Sequence, residues 1–264
     1  MTENEYSENR NSRTPSTKRL GLYLMIPLLA GFIVLCLLAG EWRTSLRVER
    51  IEIDGAHILP HDLLLAAVKV PKQSLLDTVD LYHIKRRLQE QPFIRSVTVS
   101  RLYPDALRIE LTERQPIAFI GTSHLQYIDT AAVLLPAIET AVTLDLPIIT
   151  GIPDLKDAEV GTRLSNSEVR TAIELLQTAL VVDSSLYRFI SEVYMNNGQD
   201  IVLTTTEPPV SIIVGREDFL KKLLIFQTFW GQFVKSEDVQ KVKHFDLRYN
   251  DQVVVKLISV NNNQ

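Results

Sequence analysis

The sequence is poor in cysteine, since its 264 residues contain only Cys36. A single cysteine excludes an intramolecular disulfide, so the folded part of the chain must be held together by its hydrophobic core. The sequence also lacks an excess of basic residues, because 28 Lys and Arg oppose 32 Asp and Glu for a net charge of -4. This balance argues against a nucleic-acid-binding protein, which normally carries a basic domain or stripe.

Motifs for catalysis and cofactor binding are also absent from the sequence. It contains no Gly-x-Ser-x-Gly nucleophile elbow, no Walker A loop and no Gly-x-Gly-x-x-Gly fingerprint. His57 and His61 stand four residues apart, but Pro60 lies between them and interrupts the helix that would align them. No cysteine or carboxylate cluster completes a zinc set. We therefore expect no enzyme activity, no metal, no cofactor and no small-molecule substrate.

One long hydrophobic run stands apart from this average composition. Leu20–Gly40 reads "LGLYLMIPLLAGFIVLCLLAG", 21 residues without a charge. As a helix it spans roughly 30 Å, the thickness of the hydrocarbon core of a bilayer. The run exceeds the apolar core of a signal peptide and lacks a good cleavage site, so we expect an uncleaved single-pass anchor. Because long domains cross the membrane regardless of charge, we place residues 1–19, a polar and disordered tail, in the cytoplasm.

After this run, residues 45–115 show five regular segments. Hydrophobic residues alternate in the strand-like segments and recur at helical spacing in the others, with Asp80 as the N-cap of the second helix. The segments are a strand in 47–54, helices in 60–68 and 80–91, and strands in 93–103 and 106–114. Pro104-Asp105 makes the turn between the last two strands. The order is therefore strand, helix, helix, strand, strand.

Residues 116–258 predict a second, mixed α/β domain with a largely antiparallel sheet, followed by a short tail at 259–264. Short apolar strands alternate with turn residues, and two helices interrupt them. Ser165 and Glu168 form a capping box for the first of these helices. Its predicted buried face consists of Val169, Ala172, Ile173, Leu176 and Leu180. The second helix covers 217–233, and the fold class of the whole chain is α+β behind an N-terminal transmembrane helix.

The last strand-like stretch is "DLRYNDQVVVKLI", Asp246–Ile258. In an extended chain, Val253, Val255 and Leu257 face one side, and the other side carries Val254, Lys256 and Ile258. The second side therefore holds apolar residues that a one-sided core does not need. If this strand lies at a sheet edge, its unpaired backbone groups can pair with another chain. The sequence leaves open a strand buried on both faces, and it leaves open whether Asn250-Asp251 is a hairpin turn or a bulge.

Several stretches together resemble the FtsQ/DivIB family of bacterial cell-division proteins. They are "VERIEIDG", "QPFIRSVTVSRLYPDALRIELTERQPIAFI", "YIDTAAVLLP" and "FDLRYNDQVVVKL". The resemblance implies a POTRA domain at 45–115 and an FtsQ-type β-domain at 116–258. It departs from the family at Tyr103, where members often have Trp, and through residues 130–165.

The resemblance also implies a function, that of a non-enzymatic scaffold at the division septum, in the cell inner membrane with the C-terminal domain in the periplasm. Such a scaffold binds FtsB-like and FtsL-like division proteins by strand addition, reaches other divisome components through the POTRA domain, and helps control septal wall synthesis. Matched onto this sequence, the partner-binding residues are Arg248, Tyr249, Asp251, Val253, Val254, Val255, Lys256 and Leu257.

Two other classes of protein remain as alternatives. A membrane-anchored cell-wall enzyme would need two convergent carboxylates or a metal, and none can be picked out from the dispersed acidic residues. A POTRA protein of outer-membrane assembly would need a cleaved signal peptide and usually repeated POTRA modules.

Overall fold

The structure is a computed structural model that describes residues 17–258, apart from 72, 138–141, 143, 154, 156–157 and 237–238. For residues 17–24, 41–45 and 234–236 the structure describes the backbone but not the side chains. The predicted C-terminal tail, 259–264, and residues 1–16 of the predicted N-terminal tail lie outside the described residues. Thr17–Arg19 of that tail belong to the first helix.

The described part of the chain is a mixture of helices and strands, and a few single turns of 3-10 helix connect them. The helices are α1 Thr17–Ser45, α2 His61–Val68, α3 Leu81–Gln89, α4 Ser167–Val182, α5 Ser184–Phe189 and α6 Phe219–Ser236. The first six strands are β1 Arg50–Asp54, β2 Ile94–Leu102, β3 Ala106–Glu113, β4 Pro116–Gly121, β5 Leu125–Asp129 and β6 Leu134–Leu135. The other six are β7 Ile148–Thr150, β8 Ile190–Tyr194, β9 Val202–Thr205, β10 Ser211–Ile213, β11 Val242–Asp246 and β12 Val254–Leu257.

The N-terminal helix α1 contains the whole of the hydrophobic run Leu20–Gly40. It is 29 residues long and has Pro27 in its interior. Its described apolar side chains are exposed, among them Leu28 at 77% and Phe32 at 62%. Within the residues that the structure describes, no helix is both long and apolar enough to cross a membrane.

The chain divides into two compact units, and the smaller one combines the described residues up to Arg50 with Val70–Val79 and Arg101–Leu107. The Arg101 guanidinium fixes the middle segment of this unit. Its Nε donates to the carbonyl oxygen of Leu76 at 2.8 Å, and a terminal nitrogen donates to that of Val79 at 2.8 Å. The backbone carbonyl oxygen of Asp77 also accepts a hydrogen bond from Arg101, so this one guanidinium binds three backbone carbonyls.

The larger unit consists of Ile51–Lys69, Asp80–Ser100 and the described residues from Arg108 onward. It includes α2, α3 and most of a three-stranded sheet with the strand order β1-β3-β2. The element order strand, helix, helix, strand, strand is the predicted one. The prediction that Asp80 caps α3 is confirmed, because its carboxylate accepts the backbone N–H of His83 at 3.0 Å.

A buried carboxylate organises the connection between β1 and α2. Glu113, at the end of β3, is 5% exposed. Its Oε2 accepts the backbone N–H groups of His57 at 2.9 Å and Ile58 at 2.7 Å, and its Oε1 accepts that of Leu59 at 2.9 Å. Because loop N–H groups without a helix or strand partner need another acceptor when buried, this side chain determines the path of the loop.

The nine remaining strands form one sheet in the order β12-β11-β10-β9-β8-β7-β4-β5-β6. Neighbours are parallel in β4–β7, β7–β8 and β10–β11 and antiparallel in the other pairs. The sheet is therefore mixed, and its first and last positions belong to β12 and β6.

The helices α4 and α6 cover one face of this sheet. Inward residues of the central strands, such as Ile149, Val193 and Leu203, are at most 1% exposed and belong to one hydrophobic cluster with Leu176 of α4 and Phe226 of α6. Burying an apolar side chain of this size contributes about 1.5–3 kcal/mol, so this layer supplies much of the folding free energy.

The start and the buried face of α4 differ from the prediction. Its N-cap is Asn166 rather than Ser165, because the Asn166 side chain accepts the backbone N–H groups of Glu168 and Val169. Asn is at least as good an N-cap as Ser. The prediction that Leu180 is buried is wrong, since it is 42% exposed while the neighbouring Ala179 lies in the core.

Candidate functional site

The candidate site is the edge of the nine-stranded sheet formed by β12. Among the described strands it pairs only with β11, in an antiparallel register that sets Val255 opposite Phe245 and Val254 opposite Asp246. In an antiparallel pair, every second residue of an edge strand points its N–H and C=O away from its neighbour. The outer side of β12 therefore presents backbone donors and acceptors at regular spacing.

A hairpin connection joins β11 to β12 and resolves the ambiguity at Asn250-Asp251. These two residues form a turn, and Asp251 adopts a left-handed conformation with φ of +59°. Asp tolerates this region better than most residues because its short polar side chain bonds locally. The register shift of this strand pair lies elsewhere, between Val242 and His244. The strand begins at Val254, so Val253 belongs to the connection.

Arg248 is held inside the hairpin by two carboxylates. Its guanidinium donates to both oxygens of Asp246, at 2.9 and 2.6 Å, and to Oδ2 of Asp200 at 2.7 Å. Asp246 is 5% exposed, and its hydrogen bonds from Arg248 lower the pKa of its carboxyl group below the usual value. The same contacts raise the pKa of Arg248. Arg248, which the sequence predicted as a partner contact, therefore forms hydrogen bonds within the chain that stabilise the β11–β12 connection.

Asp251 has a comparable internal partner. Its Oδ1 accepts from Nζ of Lys221, in the first turn of α6, at 2.7 Å. The hydrogen bond from this ammonium to Asp251 raises the pKa of Lys221. Both side chains are more than half exposed, so the pair orients the turn more than it stabilises the fold.

The strand behind β12 is anchored by aromatic packing. Phe245 of β11 is fully buried and meets four rings of α6 with centroid separations of 5.5–5.8 Å, those of Phe226, Phe229, Trp230 and Phe233. Val253 and Val255 are half-buried against the same core. The inner side of β12 is therefore held on a rigid support.

The remaining predicted residues are exposed. Tyr249 is 51% exposed and Val254 is 39% exposed, while Lys256 is also at the surface. The expectation that Leu257 faces the core with Val253 and Val255 is wrong, because Leu257 is 57% exposed. It lies opposite Val242, beyond the register shift that separates this pair from the regular register of Val254–Lys256.

The partners that hold Arg248 and Asp251 were not predicted. The contact between Asp246 and Arg248 could have been predicted, because side chains two residues apart in an extended segment share a face. Asp200 and Lys221 lie 48 and 30 residues away along the chain, and only the fold brings them to the hairpin.

No metal centre is seen in the described ranges, where His, Cys, Asp and Glu side chains do not gather in groups of three or more that could hold an ion. His61 begins α2 and His57 precedes it, with Pro60 as the N-cap between them. The two imidazoles therefore do not share a helical face.

The comparison with known families first gives the class of protein. The family model described as "POTRA domain, FtsQ-type" matches residues 46–114, which contain the strand-helix-helix-strand-strand order. A second model, described as "FtsQ/DivIB, C-terminal related", matches residues 115–256, more than half of the chain. The chain belongs to the FtsQ/DivIB family of cell-division proteins.

Individual relatives match over most of their length. Cell division protein FtsQ of Rhodothermus marinus is 28% identical over 254 residues, which cover 92% of this chain and 91% of the relative. The protein of the same name from Geotalea daltonii is 26% identical over 231 residues, 87% of this chain and 82% of the relative. That of Salinibacter ruber is 26% identical over 238 residues, with coverages of 87% and 90%.

Proposed function

We propose that this chain is a non-enzymatic scaffold of the division septum that binds FtsB-like and FtsL-like proteins through the outer edge of β12. In this role it links early and late components of the division machinery and helps to control septal wall synthesis. The observation that carries the proposal is the edge position of β12 on a rigidly supported hairpin. The names of the relatives support the division role.

The mechanism is strand addition. A partner segment in extended conformation pairs its backbone with the unpaired backbone groups of β12. Its side chains pack against the exposed apolar residues Val254, Leu257 and Ile258. Main-chain hydrogen bonds supply affinity, while alternate side-chain contacts supply specificity. Tyr249 forms the rim of this surface, since exposed Tyr is favoured at binding hot spots.

Arg248 and Asp251 act on the partner indirectly in this mechanism. Their bonds to Asp246, Asp200 and Lys221 fix the hairpin before a partner arrives. A pre-organised edge spares the complex the cost of ordering the loop on binding.

The remaining parts of the chain are assigned to anchoring and recruitment. Leu20–Gly40, inside α1, is the single membrane span, with the N-terminus in the cytoplasm and the C-terminal domain in the periplasm. Residues 45–115 form the POTRA domain that contacts other division components, and residues 116–258 form the partner-binding domain. The exposed apolar side chains of α1 support the membrane assignment.

The test is a binding measurement with a purified FtsB-like partner and the full chain. Val254→Asp puts a charge onto the exposed side of β12, and Tyr249→Ala removes the rim. We expect each to weaken binding by about thirtyfold or more, the effect of a hot-spot residue. Val181→Asp makes the same change at a 79% exposed valine of α4 and should leave affinity unchanged. Wild-type affinity in Val254→Asp would refute the edge mechanism.

A cellular measurement tests the division role by itself. Depletion of the protein should give long cells without septa, and Val254→Asp should fail to restore division where Val181→Asp succeeds. Normal septation under verified depletion, in a cell without a second copy of this protein type, would contradict the role.

A further inference from the structure

A groove at the opposite end of the large sheet carries two arginines that no carboxylate of the described residues neutralises. It has a volume of about 440 Å³ and is lined by residues of the β5–β6 turn, of the segment before α4 and of α4 itself. Both cations, Arg163 and Arg170, are exposed, and within the described residues neither takes part in an ion pair.

The Arg163 guanidinium is fixed by the backbone around it. Its Nε donates to the carbonyl oxygen of Ala131 at 2.7 Å, and its residue pairs with Val133 in an antiparallel bridge. Leu164 continues this pairing, since its N–H donates to the carbonyl oxygen of Ala132 at 2.8 Å. With Nε engaged, the two terminal nitrogens remain to meet the two oxygens of a carboxylate, the geometry that guanidinium groups favour.

Nearby carboxylates are engaged elsewhere or stand apart. Asp129 is 3% exposed and is saturated by Arg114 at 2.9 Å and by backbone N–H groups of the turn. Glu168 pairs with Arg216. Glu174 lies one turn along α4 from Arg170 without forming an ion pair with it in the described structure. Among the described residues, the groove therefore offers positive charge without a carboxylate partner.

The floor and rim of the groove give further information about the ligand. Ala132 and Ile173 are each 4% exposed and make an apolar floor, with the half-buried Leu164 beside them. Thr130, Ser165 and Gln177 supply hydroxyl and amide groups at the rim. A ligand that alternates carboxylates with apolar groups and carries backbone amides satisfies all three kinds of surface.

We propose that this groove binds an acidic peptide segment of a partner protein. One carboxylate pairs with Arg163, a second with Arg170, and an apolar side chain between them packs on Ile173. Peptide chemistry is favoured over a lone inorganic anion because the groove combines an apolar floor with separate polar groups. The proposal concerns a surface that contains no residue of β12, so it stands independently of the edge-strand mechanism.

The experiment measures binding of a capped, fluorescently labelled Glu-Leu-Glu peptide to the full chain in detergent, by fluorescence anisotropy. We expect saturable binding with a dissociation constant below about 1 mM, and no saturation with the Gln-Leu-Gln peptide. Arg163→Gln and Arg170→Gln should each weaken binding by about tenfold. Arg188→Gln removes the same charge from an exposed site on α5 outside the groove and should leave binding unchanged.

Two further variants keep the test decisive. Arg163→Gln could lose the native circular dichroism spectrum, because Arg163 donates to the carbonyl oxygen of Ala131. In that case Arg170→Gln is used for the comparison, since no such hydrogen bond to the backbone is seen for the Arg170 side chain among the described residues. The double charge reversal Arg163→Glu with Arg170→Glu should prefer a Lys-Leu-Lys peptide. Equal loss in Arg188→Gln, equal binding of both peptides, or displacement by inorganic phosphate at the same concentration as by unlabelled peptide would each overturn the proposal. Val254→Asp should leave the peptide affinity intact, which separates the failure of one surface from that of the other.

Discussion

The loop between β1 and α2 depends on one side chain, and replacing Glu113 by Gln tests that dependence. The change keeps the shape of the side chain and removes its charge and one of its two acceptor oxygens. The three backbone N–H groups that now point at the carboxylate, at 2.7–2.9 Å, then face one oxygen and one NH₂ group. An N–H that faces an NH₂ group loses its acceptor.

The expected loss in the free energy of unfolding follows from these three hydrogen bonds. If the amide oxygen takes the position of Oε2, the bonds from His57 and Ile58 survive but change from charged to neutral acceptors, a loss of about 1 kcal/mol each. The bond from Leu59 is lost, and its buried N–H goes unsatisfied for about 1–3 kcal/mol. We therefore expect the free energy of unfolding to fall by about 3–5 kcal/mol, which is a large part of the stability of a typical domain.

Hydrogen exchange of the full chain provides the local readout, and denaturant unfolding provides the global one. Amide exchange in residues 57–59 should accelerate strongly in Glu113→Gln. Glu110→Gln is the matched control, because Glu110 lies on the same strand and is exposed. Unchanged exchange in the loop, or an equal loss of stability in Glu110→Gln, would refute the reasoning.

Two further predictions concern backbone geometry and acid stability. Gly55 has φ of +88°, and a Cβ there would lie 2.0 Å from the carbonyl oxygen of Leu111. Gly55→Ala should therefore prevent stable folding in a thermal melt, whereas Gly121→Ala, with open space around it, should melt like the wild type. Arg248 lowers the pKa of Asp246, so this carboxylate stabilises the fold fully above its unfolded pKa, about 3.9, and less as the pH falls through its folded value. The stability difference between wild type and Asp246→Asn should shrink below about pH 4, and a constant difference would contradict the pKa shift.

The parts of the fold that depend on neighbouring residues were predictable from the sequence. The strand-helix-helix-strand-strand order and the cap at Asp80 follow from periodicity and from side chains that bond three residues away. Where two good caps are adjacent, as at Ser165 and Asn166, the sequence alone does not rank them. Strand β6 is only two residues long and leaves no periodic signal.

The parts of the site that depend on tertiary contacts were not predictable. The alternation in Asp246–Ile258 predicted an extended segment with apolar residues on both sides, and Val254 and Ile258 are exposed as that pattern suggested. It could not reveal that Arg248 bonds to Asp200, because that contact requires the β9, β10 and β11 strands to be aligned first. The exposure of Leu257 likewise depends on a register shift in the neighbouring strand.

The two edges of the large sheet differ in a way that bears on stoichiometry. At the β6 end, the chain returns and pairs with the last strand, since Leu134 donates to Thr162 at 3.0 Å and accepts from Gly161 at 2.8 Å. At the β12 end, no described segment does so. A sheet with one protected edge can be extended from one side only, so a second copy of the chain cannot continue the sheet through both edges. If a partner adds a strand at β12 as proposed, the complex therefore closes with one added strand per chain instead of growing into an open-ended fibre.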